Sequence, residues 1–211
     1  MLKYKHLKKR LIATCVGIVF CAFGISLCLK GNVGLDPFGA FNKGMGALVG
    51  LSLGNFQLLI NFILIAVIAY FKRSLIGAGT LINMFLVGYL IDLFSWLHSQ
   101  VFSFPPGLWN SAIHLFLGLT FLTFGLSLYI MANLGVGPYD AISLVIVERV
   151  PIPFRICRII QDSTAMILAW LLGAPIGIAT ILMAFSIGPL VTFWNRRVTR
   201  YILDVPQEAL R

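Results

Sequence analysis

Apolar residues fall into eight runs along the chain, roughly 11–30, 37–50, 54–71, 75–96, 110–132, 138–150, 155–172 and 175–195, divided by short breaks of glycine, proline or charge. At ~1.5 Å per residue, six of these runs form helices long enough to cross a hydrocarbon core of ~30 Å. The stretch from Pro37 to Gly50 reaches only ~21 Å, and Pro138 to Val150 is shorter still. Those two predict half-helices. Each opens on a proline at the first helical position, where the missing N–H costs nothing, and follows a glycine-bearing turn.

The runs repeat. Gly17 to Phe38 and Gly118 to Tyr139 share nine identical positions at a constant offset of 101: Gly17, Phe20, Phe23, Gly24, Ser26, Leu27, Asn32, Gly34 and Pro37. Ile76 to Leu90 matches Ile176 to Leu190 at an offset of 100, which places one indel between the matching blocks. Weak internal symmetry in an apolar chain is how transporter folds built from repeats look in sequence. Each repeat, about 10–96 and 110–197, then holds three crossings and one half-helix. An odd number of crossings makes the second repeat enter from the opposite face, so the halves are expected to be inverted.

Composition fixes the solvent. Apolar residues make up 59% of the chain and charged ones 11%, against about 25% charged in an ordinary soluble domain. The expectation is one integral membrane domain over residues 1–211. The net charge of +9 does not point to nucleic acid, because the basic residues cluster between apolar runs as cytoplasmic flanks do. Fourteen of the sixteen, including Lys8, Lys9, Arg10, Lys72, Arg73, Arg149, Arg196 and Arg197, fall on the amino-terminal side of the inverted arrangement; Lys30 and Lys43 fall opposite. Both termini are therefore expected in the cytoplasm. The rival arrangement, with all eight runs crossing and parallel repeats, moves Lys72 and Arg73 outside. The basic start imitates a secretory signal, but the apolar run behind it, Ala13 to Leu29, aligns with the mid-chain His114 to Ile130 and is expected to stay. The four cysteines lack metal or redox spacing and read as packing residues.

Candidate chemistry sits in the repeated turn and in one matched pair of helices. The turn reads Asn32-Val-Gly-Leu-Asp36-Pro-Phe-Gly39 in the first copy and Asn133-Leu-Gly-Val-Gly-Pro-Tyr139-Asp140 in the second. It presents free N–H groups and a partial positive charge at a helix start, which can hold an anion or a nearby carboxylate. Asp36 and Asp140 fit that role, and they equally fit plain capping of their own helices. Gln57 and Asn61 share one face by four-residue spacing, and Arg158 and Asp162 do the same in the matching segment. An ionisable residue inside a crossing is expensive and is by default a functional candidate. Arg158 can alternatively snorkel to the headgroups, and Asp162 can simply pair with it. The candidate substrate-binding set is thus Asn32, Asp36, Gln57, Asn61, Asn133, Asp140, Arg158 and Asp162.

The G-x-x-P-[FY]-[DG] turn, seen at Gly34 to Gly39 and Gly135 to Asp140, together with the G-x-x-T segments Gly77 to Thr80 and Gly177 to Thr180, resembles the YczE/YyaS/YitT group of bacterial membrane proteins. The resemblance spans about residues 10 to 197 and implies a multi-pass protein of the bacterial cytoplasmic membrane. The expected fold is all-α and polytopic, with six transmembrane helices and two half-helices in two repeats of inverted topology. A small-molecule or ion transporter accounts for repeats, half-helices and sparse intramembrane charge together. A non-transporting accessory or regulatory membrane protein is the alternative. No motif of hydrolase, metalloprotease, nucleotide or dinucleotide chemistry occurs, so no enzyme activity, catalytic residue, metal or cofactor is expected. The expected partners are the lipid bilayer and a small-molecule substrate, with a homo-oligomer left open.

Overall fold

A computed structural model of the protein describes residues 7–31, 33–51, 53–101, 107–174 and 176–205, with no strand among them. Eight principal helices follow the eight apolar runs: α1 (Leu7–Lys30), α2 (Pro37–Leu48), α3 (Leu53–Lys72), α4 (Ala78–Val101), α5 (Leu108–Ala132), α6 (Pro138–Val147), α7 (Phe154–Leu171) and α8 (Ile178–Trp194). α8 continues through a π-turn at Asn195–Thr199 to Ile202. Among the described residues, five stretches are long and apolar enough to cross a membrane: Leu7–Lys30, Gly54–Leu75, Ala78–Gln100, Leu108–Ala132 and Ile178–Ile202. Where six were expected, the missing one is α7, whose 18 residues include Arg155, Arg158 and Asp162. α2 and α6 are short, with 12 and 10 residues, and each has its proline at the start.

α1 and α5 form the central antiparallel pair. Gly17 meets Gly125 and Gly24 meets Gly118, so closely that a Cβ on Gly17 would stand 2.7 Å from the Gly125 carbonyl oxygen and one on Gly24 2.5 Å from that of Gly118. Small residues let backbones approach in this way, and dispersion then replaces the hydrophobic drive that lipid cannot supply. α4 packs on α1 and α8 on α5; across the molecule, α2 packs on α7 and α6 on α3.

The glycine turns interlock crosswise. Gly34 (φ +112°) lies 3.0 Å, measured from an ideal Cβ, from the Thr180 hydroxyl, and Gly135 (φ +105°) lies 2.7 Å from the Thr80 hydroxyl by the same measure. Both need the left-handed backbone that glycine alone adopts freely. Thr180 donates to the Leu35 carbonyl at 2.8 Å, while Gly79 N–H donates to the Leu134 carbonyl at 2.9 Å and Val136 N–H to the Leu75 carbonyl at 3.1 Å. Each turn is thereby tied to the helix start of the other half. The exterior is apolar: Phe62, Trp96, Phe116, Trp170 and Ile178 are all exposed, as a lipid-facing surface requires.

Candidate functional site

α6 and α7 build the charged centre. Arg158 and Asp162 lie one turn apart on α7, and Arg158 Nε donates to Asp162 Oδ2 at 2.9 Å. The same guanidinium reaches α6 through Nη1, which donates to Asp140 Oδ1 at 2.5 Å. Arg158 and Asp162 are buried, with side-chain exposures of 6% and 1%, and Asp140 is half-buried at 13%. Two tyrosines complete it: Tyr139 donates to Asp162 Oδ1 at 2.8 Å, and Tyr129 of α5 donates to Asp140 Oδ2. Each carboxylate thus receives one N–H and one O–H. A buried charge is tolerable only when hydrogen-bonded this fully. Behind the triad Gln161 donates to the Tyr139 carbonyl at 2.7 Å and accepts from Ser143, which pins α6 further to α7.

The first half presents a copy of this arrangement without its arginine. At the offset of 101, Gln57 stands for Arg158, Asn61 for Asp162, Phe38 for Tyr139 and Gly39 for Asp140. Its carboxylate has moved three residues earlier, to Asp36, which caps α2 by accepting from Gly39 N–H at 3.1 Å. The shift is reciprocal. A Cβ on Gly39 would stand 2.8 Å from Asp36 Oδ1, and one on Gly137 3.1 Å from Asp140 Oδ2, so each glycine leaves room for the carboxylate of its own short helix. Phe38 and Tyr139 stack on each other with centroids 4.1 Å apart, and the Arg158 guanidinium lies 5.0 Å from the centroid of the Tyr139 ring.

Between the starts of the short helices α2 and α6 lies a cavity of about 190 Å³, lined by Asp36, Gln57, Asn61, Asn83, Asp140 and Arg158 among apolar neighbours from α1, α4 and α5. Phe38 and Tyr139 border it and also border a second cavity of about 390 Å³ among α2, α3, α6 and α7, whose lining is apolar apart from Tyr139, Gln161 and Thr164. The stacked rings therefore separate a polar chamber from an apolar one.

Of the residues expected at a site, Asp36, Gln57, Asn61, Asp140 and Arg158 converge on the polar cavity, and Asp162 supports it through Arg158. Asn133 does not: it ends α5 in the left-handed conformation (φ 54°) and is exposed, which explains an asparagine there without any ligand. Asn32 lies outside the described residues. Sequence reasoning missed Tyr129, Tyr139 and Asn83. Tyr129 had a signal, since the first copy has Cys28 at its position and a hydroxyl appears only in the copy that has Asp140.

A model of a family of unknown function, DUF6198, matches residues 8–196. The chain belongs to this family. It is 30% identical over 178 residues, 84% of this chain and 81% of the relative, to the uncharacterized membrane protein YczE of Bacillus subtilis. It is 28% identical to the uncharacterized protein YyaS of the same organism, over 90% of this chain and 94% of the relative, and 28% identical to an uncharacterized protein of Haemophilus influenzae, over 88% and 82%. No solved structure matches. With these relatives and five helices apolar enough to cross a membrane, this DUF6198 member is a multi-pass helical membrane protein.

Proposed function

We propose that the protein is a small-molecule permease of the bacterial cytoplasmic membrane, built from two halves of inverted topology, with the polar cavity between the half-helix starts as its substrate site. The observation that carries the reading is that cavity: two broken helices meet start to start, and their polar residues line one chamber, the arrangement in which transporters bind substrate near the bilayer midplane. Inversion is supported by the antiparallel course of α1 and α5, which begin the two copies, and by the crosswise contacts of Gly34 with Thr180 and Gly135 with Thr80. In this reading α7 is the sixth crossing. Its charges at Arg158 and Asp162 are buried and paired, Arg155 stands exposed in the first turn, and Ile160, Ile167 and Trp170 point outward, so beyond that turn lipid meets an apolar face.

Orientation follows from charge. Lys9 pairs with Asp204 at 2.5 Å, Lys72 pairs with Glu148, and Arg10 donates to the Ala132 carbonyl at 3.0 Å. These contacts support gathering of the basic flanks at one end, which the positive-inside rule puts in the cytoplasm with both termini. Single cysteines at Ser74 and Ser103, in a background without Cys15, Cys21, Cys28 and Cys157, should label from outside at Ser103 only. Labelling at Ser74 alone would sink the inverted arrangement. For transport itself, the purified protein is screened for solutes that raise its melting temperature, and each hit is tested for flux into liposomes containing the protein. A solute that binds in the cavity and never crosses would instead favour the accessory or regulatory reading.

A further inference from the structure

The two halves place a cation in only one of two matched sites. In the second half the Arg158 guanidinium bridges Asp140 and Asp162 and lies against the Tyr139 ring. In the first half the matched residues keep the acceptors and drop the cation. Asp36 supplies the carboxylate, Asn61 supplies a carbonyl oxygen in place of Asp162, Phe38 supplies the aromatic ring, and Gln57 replaces the arginine.

What is left behind points to a ligand. Asn61 is only 6% exposed, lines the cavity, and its Oδ1 has no hydrogen-bond partner among the described residues. A buried acceptor left unmade costs ~1–3 kcal/mol, so such groups are rare unless something fills them. Asp36 accepts one backbone N–H and, among the described residues, forms no ion pair. Asp36 and Asp140 line the chamber and Asp162 lies behind Arg158, so three acidic side chains are set against one guanidinium, a surplus of acid over base. That surplus disfavours an anion there, despite the partial positive charge of two helix starts, each of which is already matched to its own carboxylate.

We propose that the cavity binds a small organic cation bearing a guanidinium or ammonium group, which seats against Asp36, Asn61 and Phe38 as Arg158 seats against Asp140, Asp162 and Tyr139. The ligand supplies the donors that Asn61 lacks and the countercharge that Asp36 lacks, and Gln57 leaves the room that an arginine would fill. A carboxylate and an aromatic face give such a cation charge-assisted and cation–π contacts. The neutral Asn61, where the second half has Asp162, keeps the hold weaker than that on Arg158. A site that must release what it binds needs this.

The inference rests on the substrate-site reading above and deepens it. Its test uses purified full-length protein in detergent, with melting temperature read against methylguanidinium chloride and methylammonium chloride, and with urea, sodium acetate and sodium chloride at equal concentration as comparisons. The two cations should stabilise the protein and the comparisons should not. Asp36→Asn, which keeps the helix cap because asparagine caps as well as aspartate, should weaken the response by about tenfold or more. Gln57→Arg should abolish it by placing a guanidinium in the site from within the chain, and Asn61→Asp should strengthen it. Stabilisation by acetate or urea as strong as by the cations, no stabilisation by either cation, or an unchanged response in Asp36→Asn or Gln57→Arg overturns the proposal. Cation binding without flux into liposomes would overturn the transport reading and leave the site standing. Flux of a neutral or anionic solute without cation binding would do the reverse.

Discussion

Removing the buried Arg158 guanidinium tests the charged centre most directly. In Arg158→Gln the substituted residue is the one the first half uses at the matched position, so the change introduces no shape foreign to the fold. It strips Asp140 and Asp162 of their N–H donors and countercharge while Asp162 stays buried and Asp140 half-buried, with side-chain exposures of 1% and 13%. Breaking a buried pair by deleting one partner costs ~3–5 kcal/mol, because the remaining charge is left uncompensated. For a chain of about this length each kcal/mol moves the melting temperature by ~2–4 °C, so the variant should melt roughly 6–20 °C lower. Thermal unfolding in detergent, followed by tryptophan fluorescence, reads the shift. Adding Asp140→Asn and Asp162→Asn to Arg158→Gln removes the stranded charges yet keeps acceptors for Tyr129 and Tyr139, and should recover more than half of the loss. A loss below ~2 °C in the single variant, or a triple variant that melts no higher than the single one, would refute the claim that stranded charge, rather than lost packing, sets the cost.

Tyr139→Phe removes the O–H that Asp162 accepts at 2.8 Å and should cost ~1.5–3 kcal/mol, clearly less than Arg158→Gln in the same unfolding assay. Gly188→Ala and Gly88→Ala, matched positions of the two copies, should move in opposite directions. A Cβ at Gly188 would stand 2.7 Å from the Arg155 carbonyl oxygen, whereas nothing lies within 4 Å at Gly88, where alanine should add ~0.5–1 kcal/mol of helix stability. Equal effects at the two sites would show that the glycines are not distinguished by close approach. Asn133→Gly should leave both stability and solute response at the level of the unchanged protein, since glycine adopts the same left-handed turn; a lost response would return Asn133 to the site.

Much of the architecture was legible because it depends on local rules. Run lengths gave every principal helix, and proline at position one marked both short helices within three residues of their observed ends. The four-residue spacing of Arg158 and Asp162 gave their pairing on α7. What stayed hidden depends on how helices meet. Nothing local links Asp140 to Arg158, 18 residues away on another helix, and Tyr129 and Tyr139 read as apolar filler until a neighbouring helix brings a carboxylate to each hydroxyl. Asn133 misled for the opposite reason: identity with Asn32 suggested a shared role, and at Asn133 that role is to end a helix.

The difference between the copies carries more meaning than their likeness. α6 is tied by charged or polar side-chain bonds to α5 through Tyr129 and Asp140, and to α7 through Arg158, Asp140, Ser143 and Gln161. α2 has its own cap from Asp36 and a bond from Asn42 to the Phe38 carbonyl within the same helix, and it meets α7 and the turn after it through small apolar residues, Ala40 with Ala169 and Ala174. Separating α2 from its neighbours therefore breaks dispersion contacts and the Thr180–Leu35 hydrogen bond, while separating α6 breaks the Arg158–Asp140 ion pair and several polar side-chain bonds, and elements with fewer such bonds open at lower free energy. A ligand that bridged α2 and α3 through Asp36 and Asn61 would give the first half the kind of tie that Arg158 already gives the second. Its binding energy would then be spent where the fold is least fixed, which is the condition under which binding shifts a conformational equilibrium.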